Sequence, residues 1–425
     1  MALALPIFPL ATPGQRYSCH GCGNCCRDFT VQLRVADVER LAKQGWTQRL
    51  GANPVVEFRG VPYLRQRADG ACVFLREDGK CEVHAAHGFD EKPLACRMFP
   101  YMLAPEPARV RMGMSFACQS VLENKGAPCA SQVAEAARIA REAPEAVQSA
   151  PRAPLARGLA SGEGELEALE RSVVGWIAMA HPIDVRLDGL AWLAESLLRA
   201  RLERVRGERF IELVTTLVSA LPDELAHFPN GPLTPRQERM LRSAIFARVE
   251  DPKPLAQGAP TRWRATLSQF LRHGAWKRGG ASALVPAIGH SGQPRVRFGQ
   301  VSGSAGILAS ADAVAIDELL TRWIRATVEG GRASGSGYYG WDATAGLCAL
   351  VLNVACALWL ARYRTVATGS SAPTLDDLRW ALSRIDRTSG RAPWLGSWSE
   401  RARLMYLVEG SGLRRAVAAG CRWRA

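Results

Sequence analysis

Long uncharged apolar runs are nearly missing from this 425-residue chain, and so are lysines, phosphate-binding glycine motifs and the residue sets of hydrolases. The one charge-free stretch, Ala343 to Ala361, covers 19 residues. It reaches only the lower edge of a bilayer-spanning length, is rich in Ala, Gly and Cys, and contains Asn353. It predicts a buried helix, and a membrane partner is not expected. The first ten residues have no basic segment and are broken by Pro6 and Pro9, so they do not read as an export signal. The chain is therefore expected in a reducing cytoplasm, where clustered cysteines bind metals more often than they form disulfides. Glycines 330, 331, 335, 337 and 340 lack the strand and helix that a nucleotide cradle needs, and read as a connection between helices. No Ser/His/Asp set, carboxylate pair or H-E-x-x-H helix stands out. With lysine scarce, the net charge of +14 rests on arginine. That charge is diffuse and not interleaved with aromatics, so a nucleic-acid partner is not expected.

What is present is a globular composition, 48% hydrophobic and 22% charged. A chain this long exceeds one ordinary core, and its texture changes along its length. Eight of the twelve cysteines lie between Cys19 and Cys118. An alanine-rich helix is expected at 130–142, then a Pro/Gly-rich stretch at 143–162 that suits a linker. Beyond it, apolar residues recur at three- and four-residue spacing, as in Leu166, Leu169, Val173 and Ile177 or Leu187, Leu190, Leu193, Leu197 and Leu198. Further helices are expected at 208–220, 235–249, 261–272, 312–328, 343–362, 374–386 and 399–408. The expected organisation is α+β: a small cysteine-rich metal-binding domain over 1–130 with a β-hairpin and short helices, a helix and linker over 131–162, and a mostly helical domain over 163–425.

The chemistry lies in the cysteines. Cys19-His-Gly-Cys22-Gly-Asn-Cys25-Cys26 contains overlapping C-x-x-C steps, the tight turn in which two thiolates converge on one metal, with Gly21 and Gly23 supplying backbone freedom. Cys72 to Cys81 reads as a hairpin, with Leu75 opposite Lys80 and Phe74 opposite Cys81. Lys92-Pro93-Leu94-Ala95-Cys96-Arg97-Met98-Phe99-Pro100 confines Cys96 to a short turn between prolines, and Cys118 follows a hairpin-like stretch. The expected metal ligands are Cys19, Cys22, Cys25, Cys26, Cys72, Cys81, Cys96 and Cys118. If Cys25 and Cys26 are extended, their side chains diverge and serve different centres more easily than one. Eight thiolates suffice for two four-ligand sites or for one cluster with spares, and thiolate sets take zinc and iron–sulfur clusters alike. A purely folding role for zinc fits the same residues. His20, His84 and His87 read as surface groups or hydrogen-bond partners of ligands.

Cys19-x-x-Cys22-x-x-Cys25-Cys26, Gly70-x-Cys72-Val73-Phe74-Leu75, Gly79-x-Cys81-x-x-His84 and Lys92-Pro93-x-x-Cys96-Arg97-x-Phe99-Pro100 occur in that order. Over about residues 17–120 the sequence thereby resembles the CxxCxxCC cysteine-cluster family, the YkgJ-like group described as zinc- or iron-chelating, to which flagellin lysine N-methylase is related. The resemblance implies metal binding by the matching cysteines. More distantly it implies an alternative, a protein lysine N-methyltransferase using S-adenosylmethionine, with the helical domain presenting a flagellin-like protein partner. Neither a strand–Gly-rich loop–helix for that donor nor a C-x-x-x-C-x-x-C run is present, and Lys92 stands where many relatives carry Arg.

Overall fold

The structure, a computed structural model, describes residues 6–8, 14–227, 230–250, 255–256, 262–288, 294–304 and 306–424. The cysteine-rich region is built from short elements, as expected of a segment poor in apolar periodicity. Its strands are β1 (Ile7–Phe8), β2 (Arg16–Tyr17), β3 (Val55–Phe58), β4 (Val61–Leu64), β5 (Tyr101–Pro105), β6 (Val110–Met114) and β7 (Ala127–Pro128). Its helices are α1 (Asn24–Asp28), α2 (Val35–Lys43), α3 (Trp46–Leu50), α4 (Glu82–His87), α5 (Leu94–Met98), α6 (Gln119–Glu123) and α7 (Val133–Ala140). The two hairpins are β3–β4 and β5–β6. Residues 72–81 are not a third. A single bridge joins Leu75 to Cys81, one residue away from the expected register. The amides of Arg76 and Glu82 donate to Lys80 O and Phe74 O, which makes the segment a closed turn. The Asp78-Gly79 turn signal was genuine, but Cys81 leaves it to cap a helix instead of pairing along a strand.

From residue 163 the chain is mostly helical, with one short parallel strand pair, β8 (Gly306–Ile307) and β9 (Trp423–Arg424): α8 (Glu165–Ile177), α9 (Ile183–Arg199), α10 (Glu208–His227), α11 (Pro235–Val249), α12 (Arg262–Arg278), α13 (Phe298–Gly303), α14 (Ser310–Glu329), α15 (Ala343–Thr368), α16 (Leu375–Thr388), α17 (Trp398–Val408) and α18 (Gly412–Gly420). Local chemistry sets several starts. Thr234 and Thr374 form capping boxes with Gln237 and Asp377, and the Asp342 carboxylate accepts from Ala345 N.

The apolar helix α15 is long and apolar enough to span a bilayer, yet its apolar window is wholly buried in protein. Asn353, buried in mid-helix, accepts from Arg248 Nε at 2.6 Å and donates to Ser389 at 3.0 Å. Arg248 is in turn paired with Glu400 at 2.8 Å. A core helix carries such a group only when it is satisfied, and α16, α18 and α9 supply the packing around α15.

One hydrophobic core runs from Leu94 through Met112, Met114 and Phe116 to Val417, so α5, β6 and α6 are packed into the same apolar mass as the helices. A smaller cluster, Leu33, Leu41, Trp46, Leu64, Phe74 and Val83, sits separately, with Cys26, Cys81 and Cys96 packed against it.

Candidate metal centre

Each cysteine is fixed by a short element. Gly23 caps α1 at φ 71°, a conformation open to glycine at little cost. It also lies against the 76–80 turn: a Cβ on Gly23 would sit 2.9 Å from Gly79 O and Leu75 Cδ1, and one on Gly79 would sit 2.7 Å from Gly21 O. Two loops thus meet backbone to backbone and bring Cys22, Cys25 and Cys26 beside Cys81. Cys25 and Cys26 lie on helix α1, not on an extended segment, and their sulfurs are 4.0 Å apart. The divergence expected of an extended pair therefore does not occur. Two thiolates on one tetrahedral ion at about 2.3 Å would be separated by roughly 3.8 Å, so this pair fits a shared metal.

Cys96 lies within α5, a five-residue helix that begins after Pro93, where a bare turn was expected. The buried Asp37 on α2 accepts from Leu94 N at 3.0 Å and from Arg34 N at 3.1 Å, tying the start of α5 to α2. The next residue, Arg97, is buried and makes a bidentate pair with Glu142 at 2.6 and 2.5 Å. Cys118 caps α6, whose C-terminal carbonyls Val121 O and Leu122 O accept from Arg322 of α14 at 2.6 and 2.8 Å. Arg387 of α16 reaches Asp28 at the end of α1 at 3.1 Å. Both ends of the cysteine region are therefore held by arginines of the helical body.

The result is a cavity of about 630 Å³ lined by Cys19, Cys22, Cys25, Cys26, Cys81, Cys96 and Cys118. Cys72 does not line it; it is buried behind, donating its amide to Cys26 O at 2.8 Å. Cys19 and Cys22 are exposed at the rim, while Cys25, Cys26, Cys81, Cys96 and Cys118 are half-buried. Tyr17, Lys80, His84, Phe89 and Lys92 complete the wall, with His20 also on it and His87 not. Seven cysteines line the cavity, and among the described residues no three His, Cys, Asp or Glu groups stand ready to hold an ion.

Electrostatics make the cavity hostile to bare thiolates. Burial pushes Cys96 up to about 12, with nearby Lys92 pulling the other way and Cys81 and Cys25 adding to the rise. Burial also pushes Cys118 up to about 12, opposed by the amides of Val121 and Ser120. Cys25 is raised by its hydrogen bond with Cys26 and then by burial. Burial raises Cys72, with Cys96 adding to it, and raises Cys22. Packed thiolates repel one another, whereas a cation among them stabilises each charged sulfur and favours its deprotonation. Amide donors already face the sulfurs of Cys22, Cys72 and Cys118 from Asn24, Phe74 and the α6 start. Soft sulfur donors, amides aimed at them and a cavity of about 630 Å³ among them together fit a thiolate-bound metal centre.

Sequence reasoning did not find Asp37, Glu142, Arg322 or Tyr17. Tyr17 stands two residues before Cys19, a spacing that in extended backbone puts both side chains on one side; the others act across 45 or more residues and leave no local signal.

A ring of cysteines on short helices, backed by a helical body, defines a cysteine-cluster domain. Residues 18–129 match the CxxCxxCC family model, described as "Putative zinc- or iron-chelating domain". The match covers the cysteine region and none of the helices from α8 onward, and its description speaks of chelation, not methyl transfer. No curated protein and no solved structure matches the chain.

Proposed function

We propose that the cavity holds a polynuclear thiolate centre, an iron–sulfur cluster or a pair of zinc or iron ions. Cys19, Cys22, Cys25, Cys26, Cys81, Cys96 and Cys118 would be its ligands, and Cys72 would reach it from the buried side. One observation carries this reading: seven thiols from four separate stretches of chain face one cavity. Seven thiols around a cavity of about 630 Å³ suit several metal atoms better than one four-coordinate ion, which uses only four ligands. When bound, the centre supplies a cross-link among those stretches and, if it contains iron and sulfide, a site for electron transfer. The protein's own part is to shield it with Phe89 and Phe99, to offset thiolate charge with Lys92, and to position the ligands through Asp37 and Arg322. A reducing compartment suits twelve unpaired cysteines.

Metal analysis and absorption spectra of the anaerobically purified protein test this. The expected result is two or more metal atoms per chain, reduced by Cys25→Ser or Cys26→Ser and unchanged by Cys129→Ser, whose thiol lies in the main core. Acid-labile sulfide with visible absorption identifies a cluster, and colourless stoichiometric zinc identifies the ion pair. A metal-free native protein, or equal loss in Cys129→Ser, refutes the assignment. Methyl transfer to a flagellin-like lysine rests on the resemblance alone, and no feature described above favours it.

A further inference from the structure

Helix α12 has two apolar faces where one would do. Its inner face is anchored by Trp276, which is fully buried, and by His273, stacked on Phe246 at 5.2 Å. Trp263, Leu267, Phe270 and Leu271 follow at spacings of four, three and one, which puts them on one side of a 3.6-residue helix. That side faces outward: their exposures are 64%, 50%, 71% and 57%. Among the described residues no other helix carries four exposed large apolar side chains within nine residues, and exposed ones scattered singly need no explanation.

The charges around this strip are of one sign. Arg264, Lys277 and Arg278 are exposed; on a helical wheel Arg264 and Lys277 fall at the margins of the strip, and Arg278 continues its line two turns beyond Leu271. Arg264 lies 5.3 Å from the Trp263 ring. No acidic residue occurs anywhere in α12. A second copy docking through this face would set like charges against each other, so the strip calls for an apolar surface with negative charge at its edge. That description is of a bilayer with anionic headgroups: aromatic and leucine side chains enter the interface while flanking Arg and Lys meet the phosphates. The chain's net charge of +14 adds long-range attraction of the same sign.

We propose that the outer face of α12, through Trp263, Leu267, Phe270 and Leu271 with Arg264, Lys277 and Arg278, docks the protein peripherally on anionic lipid. A peripheral contact of this kind departs from the expectation of no membrane partner, because a one-sided strip of four residues is invisible to a search for spanning segments. It is independent of the metal centre.

The test is co-sedimentation of the full-length protein with phosphatidylglycerol–phosphatidylcholine vesicles and with pure phosphatidylcholine vesicles. Binding is expected to the first and not the second, weakening in high salt. Phe270→Ser with Leu271→Ser should abolish it at unchanged melting temperature. Should that pair disturb the fold, Lys277→Glu with Arg278→Glu serves instead, with a loss of roughly fivefold for each neutralised charge, more for reversal. Absence of binding to anionic vesicles overturns the proposal. So do binding that survives both variants, and a dimer in light scattering that either variant dissolves.

Discussion

Gly79 shows how a residue without a side chain decides the site. Its Cα lies against the carbonyl of Gly21, and a methyl group there must push the C-x-x-C loop away from the turn that carries Cys81. Gly79→Ala is also strained at φ 81°. The expected outcome is a folded protein with less than half the wild-type metal content, read by metal analysis and circular dichroism. Glu195 is a different case, a buried carboxyl accepting from Leu413 N at 2.8 Å, and burial raises it to about 7. A carboxyl raised in the fold is held neutral there while the unfolded chain has already ionised. Its contribution is therefore full below about pH 4.5 and is lost as pH rises to about 7, at about 1.4 kcal/mol per unit. Glu195→Gln should flatten that slope, so the difference in melting temperature between variant and wild type should grow in the variant's favour from pH 5 to pH 8.

The elements near the cysteines are too short to be self-sufficient, and long-range polar contacts hold them. Asp37→Asn weakens the acceptor at the start of α5. We expect a loss of about 1–3 kcal/mol in denaturant unfolding and weaker metal retention against a chelator, while Asp90→Asn, on an exposed pair with Arg138, should change neither. The same dependence explains what could be read beforehand. Helices α8, α9, α14 and α16 announce themselves because each buries a periodic stripe of apolar residues, and α15 because its charge-free run is buried on every side, properties of local sequence. α18 was missed because it is only nine residues long and is bounded by Gly412 and Gly420, too short a run for its periodicity to stand out. The eight cysteines were found by spacing, and seven of them border one cavity. Their backbone setting was not legible: Cys81 caps a helix and Cys25 and Cys26 lie on one, since glycine contacts between distant loops, not strand propensity, set those conformations.

At the scale of the molecule, the thiols and the helical body are mechanically joined through Arg322, Arg387 and the buried set Arg332, Asp386 and Ser115, in which Asp386 accepts from Arg332 at 3.0 Å and from Ser115 at 2.9 Å. Binding energy gained at the cysteines is then stability of the whole. Removing metal with a strong chelator should lower the melting temperature by several degrees, and the drop should be absent in Cys25→Ser with Cys26→Ser, which starts from the lower value; differential scanning fluorimetry reads both.

The unbroken apolar mass from Leu94 to Val417 carries a practical corollary. Severing the gene after codon 130 would strip Met112, Met114 and Phe116 of their far wall and leave sticky hydrocarbon facing water. The amino-terminal fragment made alone should aggregate whether or not iron or zinc is supplied, and co-expression with the missing carboxy-terminal piece should restore its solubility.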